Sequence, residues 1–154
     1  MHQAVINIQE VRQSISVFVD DQGVIFGVIP PQPELPAGIV FSFDNGALPL
    51  ANGSPCDIVL PFDVVIDGVD LIAPLESGDI VVDLLITDFA TFPGGFVSIV
   101  NTTPPTLSES QKYEDTELAG WTTNFVKQQI LRASISGVVD ITKISLTLSV
   151  TKHL

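Results

Sequence analysis

From Ile141 to Lys152 the chain reads Ile-Thr-Lys-Ile-Ser-Leu-Thr-Leu-Ser-Val-Thr-Lys, with apolar residues on every second position after Ile144. Ile144, Leu146, Leu148 and Val150 share one side of an extended strand, and Lys143, Ser145, Thr147, Ser149 and Thr151 share the other. Side chains alternate across a strand, so a period of two means one buried face and one wet face. The rhythm recurs. Ile39, Phe41 and Phe43 alternate before Asp44-Asn45-Gly46, a turn signal. Ile58, Leu60, Phe62, Val64 and Ile66 form a second apolar face, with Pro61 opposite it marking an edge or bulge. Asp67-Gly68 reads as a turn into Val69, Leu71 and Ala73. Ile80, Val82, Leu84 and Ile86 alternate with Asp79, Asp83 and Thr87, and Leu131, Ala133 and Ile135 with Arg132, Ser134 and Ser136. Phe96 to Val100 is a further short strand candidate. Such a series of short strands predicts an all-β antiparallel sandwich of the jelly-roll kind. One short helix is expected over Glu109 to Tyr113. Ser108 stands as its cap, Gln111 completes the capping-box spacing, and Pro104-Pro105 fixes its entry.

Pro30-Pro31-Gln32-Pro33-Glu34-Leu35-Pro36-Ala37-Gly38 interrupts this pattern. Prolines at that density favour a stiff, extended spacer over a sheet interior. The expected organisation is therefore an arm at 1–29, a linker at 30–38 and a sandwich at 39–154. In the arm, Ile15, Val17 and Val19 alternate, Asp20-Asp21-Gln22-Gly23 signals a turn, and Val24 to Ile29 follows as a second strand. Val5, Ile6 and Ile8 add an apolar run. A lone hairpin is marginal in water, so the arm must pack on its own domain or on another chain. Ile6, Ile8, Ile15, Val17, Val19, Val24 and Phe26 are its candidate contact residues.

Composition narrows the function. Hydrophobic residues make up 45% and charged residues 16%, against about a quarter charged in ordinary domains. Such a surface favours a subunit that hides apolar area against neighbours, and a homotrimer is the expected assembly. The net charge is −12, and no Lys or Arg lies between Gln13 and Gln111. Clustered cations are what neutralise phosphates, so neither nucleic acid nor an anionic membrane is an expected partner. Aspartates interrupt every apolar run before a helical span of about 20 residues could form, and Met-His-Gln-Ala-Val-Ile-Asn-Ile lacks the basic start of a signal peptide.

Catalytic constellations are thin. His2 and His153 both sit near a terminus, where a rigid general base is hard to hold. Cys56 is the single cysteine, so it has neither a disulfide partner nor the companions of a zinc site. Asp79 and Asp83 share a strand face about 13 Å apart by strand rise, too far for a glycosidase pair. Asp67-Gly68-Val69-Asp70 does not fit a calcium-binding EF-hand loop, and Phe92-Pro93-Gly94-Gly95 lacks the Lys of a phosphate loop. No catalytic residue, metal or cofactor is assigned. Trp121 is expected to plug one end of the sandwich. The alternative is a glycan contact made by Trp121 with Tyr113.

Three blocks, in order, resemble a domain of tailed-bacteriophage structural proteins, of the tail and tail-fibre-like kind. They are Asp79-Ile-Val-Val-Asp-Leu-Leu-Ile-Thr-Asp88 with Phe89-Ala-Thr-Phe-Pro93, then Pro105-Thr-Leu-Ser108 with Leu118-Ala-Gly-Trp-Thr-Thr123, and finally Ile144 to Lys152. The similar region runs from about Ile39 to Lys152. The strand at Leu84 to Thr87 lacks the Trp and Lys usual in that family, the turn after Leu131 is altered, and the arm falls outside the resemblance. The resemblance implies a virion structural role and carries over no catalytic residue. With no shaft between arm and domain, the expected place is that of a capsid decoration (cement) protein. It would sit on the virion surface after assembly in the host cytoplasm, bound to the major capsid protein or other virion proteins. A tail or tail-fibre module that binds a host glycan is the alternative.

Overall fold

The computed structural model describes the backbone of residues 2–8, 13–29 and 34–153, and side chains at 20–24 and 34–153. The chain divides into two compact units, Met1–Pro33 and Glu34–Leu154. The first is a three-stranded antiparallel sheet, in order β1 (His2–Ile8), β2 (Gln13–Val19) and β3 (Ile25–Ile29). The expected hairpin is β2–β3, and the apolar run at Val5 to Ile8 supplies a third strand. Its turn is tight because the Asp20 carboxylate accepts hydrogen bonds from the backbone N–H of Gln22 and of Val24, both at 2.9 Å, and Gly23 takes φ +80°. A carboxylate at that position imitates a backbone turn, and glycine alone enters the left-handed region without strain.

The second unit contains β4 (Glu34–Asp44), β5 (Pro55–Val59), β6 (Asp63–Ile72), β7 (Gly78–Thr87), β8 (Val97–Ser98), β9 (Thr106–Ser110), β10 (Lys112–Asp115), β11 (Asn124–Phe125), β12 (Ile130–Val139) and β13 (Lys143–His153). One sheet has the order β10-β6-β13-β4, with β11 also on β6. The other has the order β5-β12-β7-β8, with β9 also on β7. Every pairing is antiparallel. When β8 and β9 share the fifth place, the strands read in chain order as 1-8-3-6 in one sheet and 2-7-4-5 in the other. That is the doubled Greek key of a jelly roll. The alternation read from the sequence decides the core. Ile144, Leu146, Leu148 and Val150 are buried on β13, facing Ile80, Val82 and Leu84 of β7 and Leu131, Ala133 and Ile135 of β12 in one cluster.

Four local expectations are corrected. The helix over Glu109 to Tyr113 is absent: Thr106–Ser110 pairs with β7 and Lys112–Asp115 with β6. Glu109 has φ +47°, its N–H donates to the Asp79 carboxylate, and the Gln111 side chain donates to the Ala73 carbonyl instead of capping a helix. The buried Leu107 and half-buried Tyr113 draw the chain from one sheet to the other. The apolar face from Ile58 to Ile66 is two strands in different sheets. The crossing at Leu60 to Phe62 is fixed by the Leu60 N–H to the Gln129 carbonyl at 2.9 Å and the Gln128 N–H to the Leu60 carbonyl at 2.8 Å. Asp67-Gly68 is no hairpin turn. It is a bulge inside β6, where Ser149 stands opposite Gly68 and Val150 opposite Ile66. The extra residue resets the parity, so that Val64 and Ile66 before it and Val69 and Leu71 after it all face the core. Finally, the linker assigned to 30–38 gives way to strand from Glu34, because Pro36 stands opposite Thr151 in the β4–β13 ladder. Proline is tolerated there because β4 is an edge. Residues 30–33 lie outside the described residues.

Candidate functional site

Trp121, the first of the two aromatic candidates, belongs to the core. It is 9% exposed, and its indole N–H donates to the Thr103 carbonyl at 3.2 Å and the Thr103 hydroxyl at 3.1 Å. A ring enclosed in this way offers no face for a sugar to stack on, so the burial of Trp121 fits the expected plug and not the alternative glycan contact. Trp121→Phe keeps most of the packing but leaves the Thr103 carbonyl short of a donor. The expected cost is about 1–3 kcal/mol in urea unfolding, and an unchanged midpoint would contradict the plug.

Tyr113 lies elsewhere, on β10 opposite Leu71, where it lines a shallow depression with Asp70, Ile72, Lys112 and Glu114. Trp121 takes no part in that depression, so the two aromatics do not form one site. Burial raises the Tyr113 pKa above 10.0, and the negative charge of Asp115 and a hydrogen bond to its carboxylate add to the shift. Tyr113 is the only tyrosine, so an alkaline absorbance titration reads this group alone. A phenol whose folded pKa is raised contributes stability that is complete below its unfolded pKa and is lost as pH rises through the folded pKa. The phenolate transition should therefore fall above pH 10.0, with stability declining across that same window. In Asp115→Asn the transition should move down but stay raised, because burial remains. A transition at the free-tyrosine value would count against this environment.

The arm candidates occupy defined register positions. In the first unit Ile6 stands opposite Ile15, Ile8 opposite Gln13, and Val17 between Ala4 on β1 and Val28 on β3. Val19 stands opposite Ile25, across a register shift that includes Phe26. Val24 is exposed where the turn runs into β3.

One surface feature was not read from the sequence as a contact site: the loop from Asp88 to Phe96 between β7 and β8. It folds back over the outer face of its own sheet. The Thr87 hydroxyl donates to the Gly94 carbonyl at 2.8 Å, the Gln129 amide donates to the Asp88 carboxylate at 3.0 Å, and the Phe92 N–H donates to the Asp88 carbonyl. Alternation places Ile130 on that outer face, yet the loop leaves it only 3% exposed. The Phe92 and Phe96 rings meet edge to face at 6.2 Å, and the Arg132 guanidinium lies 3.8 Å from the Phe96 centroid. Arg132 also forks onto Asp57, with Nε to Oδ1 at 2.6 Å and Nη2 to Oδ2 at 2.8 Å. Gly95 has φ +72°, and a Cβ there would come within 2.5 Å of Thr91 Cγ2. The result is a braced loop that holds Phe89 at 63% and Phe92 at 43% exposure. Rigid, exposed apolar side chains are suited to contact with another macromolecule. The Phe-rich segment 89–96 was the available signal, but alternation does not reveal how a loop folds.

Among the described residues no three His, Cys, Asp or Glu side chains gather to hold a metal ion. Cys56 is half-buried against the core, and the His153 imidazole lies 3.9 Å from the Glu34 carboxylate. No described helix is long and apolar enough to cross a membrane.

No family model matches this chain. No curated protein is similar to it. Among solved structures it is similar to a serine protease of Aeromonas sobria, at 10% identity and a TM-score of 0.36, over 81% of this chain and 28% of that one. It is also similar to a chain of the infectious bursal disease virus Gx strain, at 13% identity and a TM-score of 0.35, over 93% of this chain and 44% of that one. The chain thus spans less than half the length of either. Likenesses this distant carry no inference about activity, and the functional reading rests on this chain's own residues.

Proposed function

We propose that this chain is a bacteriophage virion structural protein, and within that class a capsid decoration protein that attaches through its N-terminal unit. The observation that carries the reading is the two-unit organisation. The jelly roll builds its core from residues between Ile39 and Val150, and a separate three-stranded sheet precedes it. A small sheet whose outer strands, β1 and β3, have no further partner among the described strands is a natural strand donor or acceptor, because unpaired edge N–H and C=O groups pair readily with another chain. The acidic sandwich, in a chain of net charge −12, then faces solvent and stays clear of nucleic acid. The partners are other copies of the chain, in a trimer, and the major capsid protein or another virion protein. The braced Phe89 and Phe92 loop supplies a second contact surface.

Labelled antibody on intact particles tests this directly. Label over the shell is the expected result. Label confined to the tail would transfer the protein to the receptor-binding reading, and unlabelled particles would remove both.

A further inference from the structure

The free edge of β4 differs from every other edge of the sandwich. β5 has five residues and carries Asp57. β10 has four, three of them charged, β8 has two, and β9 has five with Glu109 at its bend. β4 has eleven residues, pairs only with β13 among the described strands, and keeps its register from end to end without a bulge. From Leu35 to Phe43 it carries no charge, and its ladder partner is uncharged from Ile144 to Thr151. Val40 is 56% exposed on the outer face. Beside the strand opens a cavity of about 300 Å³, lined by Phe43, Leu50, Cys56 and Ile135 among others.

Natural edges are usually blocked by lysines, prolines, bulges or brevity. Pro36 blocks one end of β4, but Ile39-Val-Phe-Ser-Phe43 has none of these devices and is rich in strand-forming residues. The edge is self-complementary, as a two-fold contact requires: from Leu35 to Phe43 it has no charge to set against its own copy, and in a chain of net charge −12 such a stretch lets two copies approach without aspartates meeting. We propose that this edge binds β4 of a second copy, antiparallel about a two-fold axis, joining two four-stranded sheet paths into one. The pairing centres on Phe41, with Val40 opposite Ser42 of the partner subunit and Gly38 opposite Asp44 of the partner subunit. Centring on Ile39 would set Glu34 against the partner's Asp44, a like-charge pair directly across the ladder. Centring on Val40 would draw Pro36 into the pairing. The contact uses residues of the second unit alone. It would link neighbouring protomers, or trimers built through their arms, in pairs.

The test uses the full-length chain. In light scattering at micromolar concentration, Val40→Lys should halve the mass relative to the wild type, while Val40→Thr should leave it unchanged. In a Cys56→Ser background, Val40→Cys and Ser42→Cys chains mixed and oxidised should form a disulfide-linked pair, since directly opposed residues bring their Cβ atoms within disulfide reach. A wild-type monomer, a mass insensitive to Val40→Lys, or no mixed disulfide would overturn the proposal. The crosslink does not depend on how Val40→Lys folds, and particle binding is a separate readout for the virion assignment.

Discussion

A chain that begins at Glu34 should fold as the sandwich and co-sediment with particles lacking the native protein only at background level, whereas the full-length chain should pellet with them. The cut must fall before Glu34. Glu34, Leu35 and Pro36 are the ladder partners of His153, Lys152 and Thr151, so a later start would strip the end of a strand as well as the first unit. Retained folding follows from the core, which the described residues of the second unit supply. Lost binding follows from the attachment assigned to the three-stranded sheet. A milder lesion should act in the same direction. Val17 stands at the middle of the central strand, opposite Ala4 and Val28. Val17→Asp would set a charge there, which is costly wherever water is excluded. If the chain starting at Glu34 binds particles as well as the full-length protein, the arm is dispensable and the decoration mechanism loses its main support.

Leu146→Ala should cost about 2–5 kcal/mol, the range for emptying a fully buried leucine site. That is a large share of the roughly 5–15 kcal/mol that holds a typical domain together. Leu146 stands opposite Phe41 on one side and Leu71 on the other, in the middle of its sheet, and is completely buried. Its neighbour Thr147 has its side chain on the outer face, so Thr147→Ala should shift stability by no more than about 0.5 kcal/mol. Urea unfolding of the two variants measures the alternation itself. Equal costs would mean that the strand does not have one buried and one wet face.

That alternation explains how much of the fold was legible. On β7 from Ile80 to Leu84, on β12 from Leu131 to Ile135 and on β13 from Ile144 to Val150 one face is buried without a break, so the period of two was enough to place them. Asp20 to Gly23 was legible because its turn chemistry is local. The failures share a cause, which is that short-range signals were outweighed by partners distant in sequence. Ser108 and Gln111 have capping-box spacing, but Gln111 donates to Ala73 and the backbone of Glu109 to Asp79. Asp67-Gly68 is a hairpin dipeptide, yet β13 pairs with both halves of β6 and turns the supposed hairpin into a bulge. The parity change from Ile66 to Val69 was the clue in the sequence. As for the site, the plug at Trp121 was legible as one of two readings, whereas the Phe89 and Phe92 loop was not, because loops carry no period.

The strand order also governs how the molecule forms. β13 follows every other described strand in the chain, yet it lies at the centre of its sheet, between β6 and β4. Its partners are far away in sequence: Lys143 pairs with Asp44 and His153 with Glu34. Until β13 leaves the ribosome, β4 has no neighbour and β6 lacks its main one, so two apolar ladders wait unpaired. Topologies dominated by such distant pairings fold in about milliseconds to seconds, orders of magnitude slower than helical bundles. During that interval the uncharged edge of β4 is available to any other nascent copy.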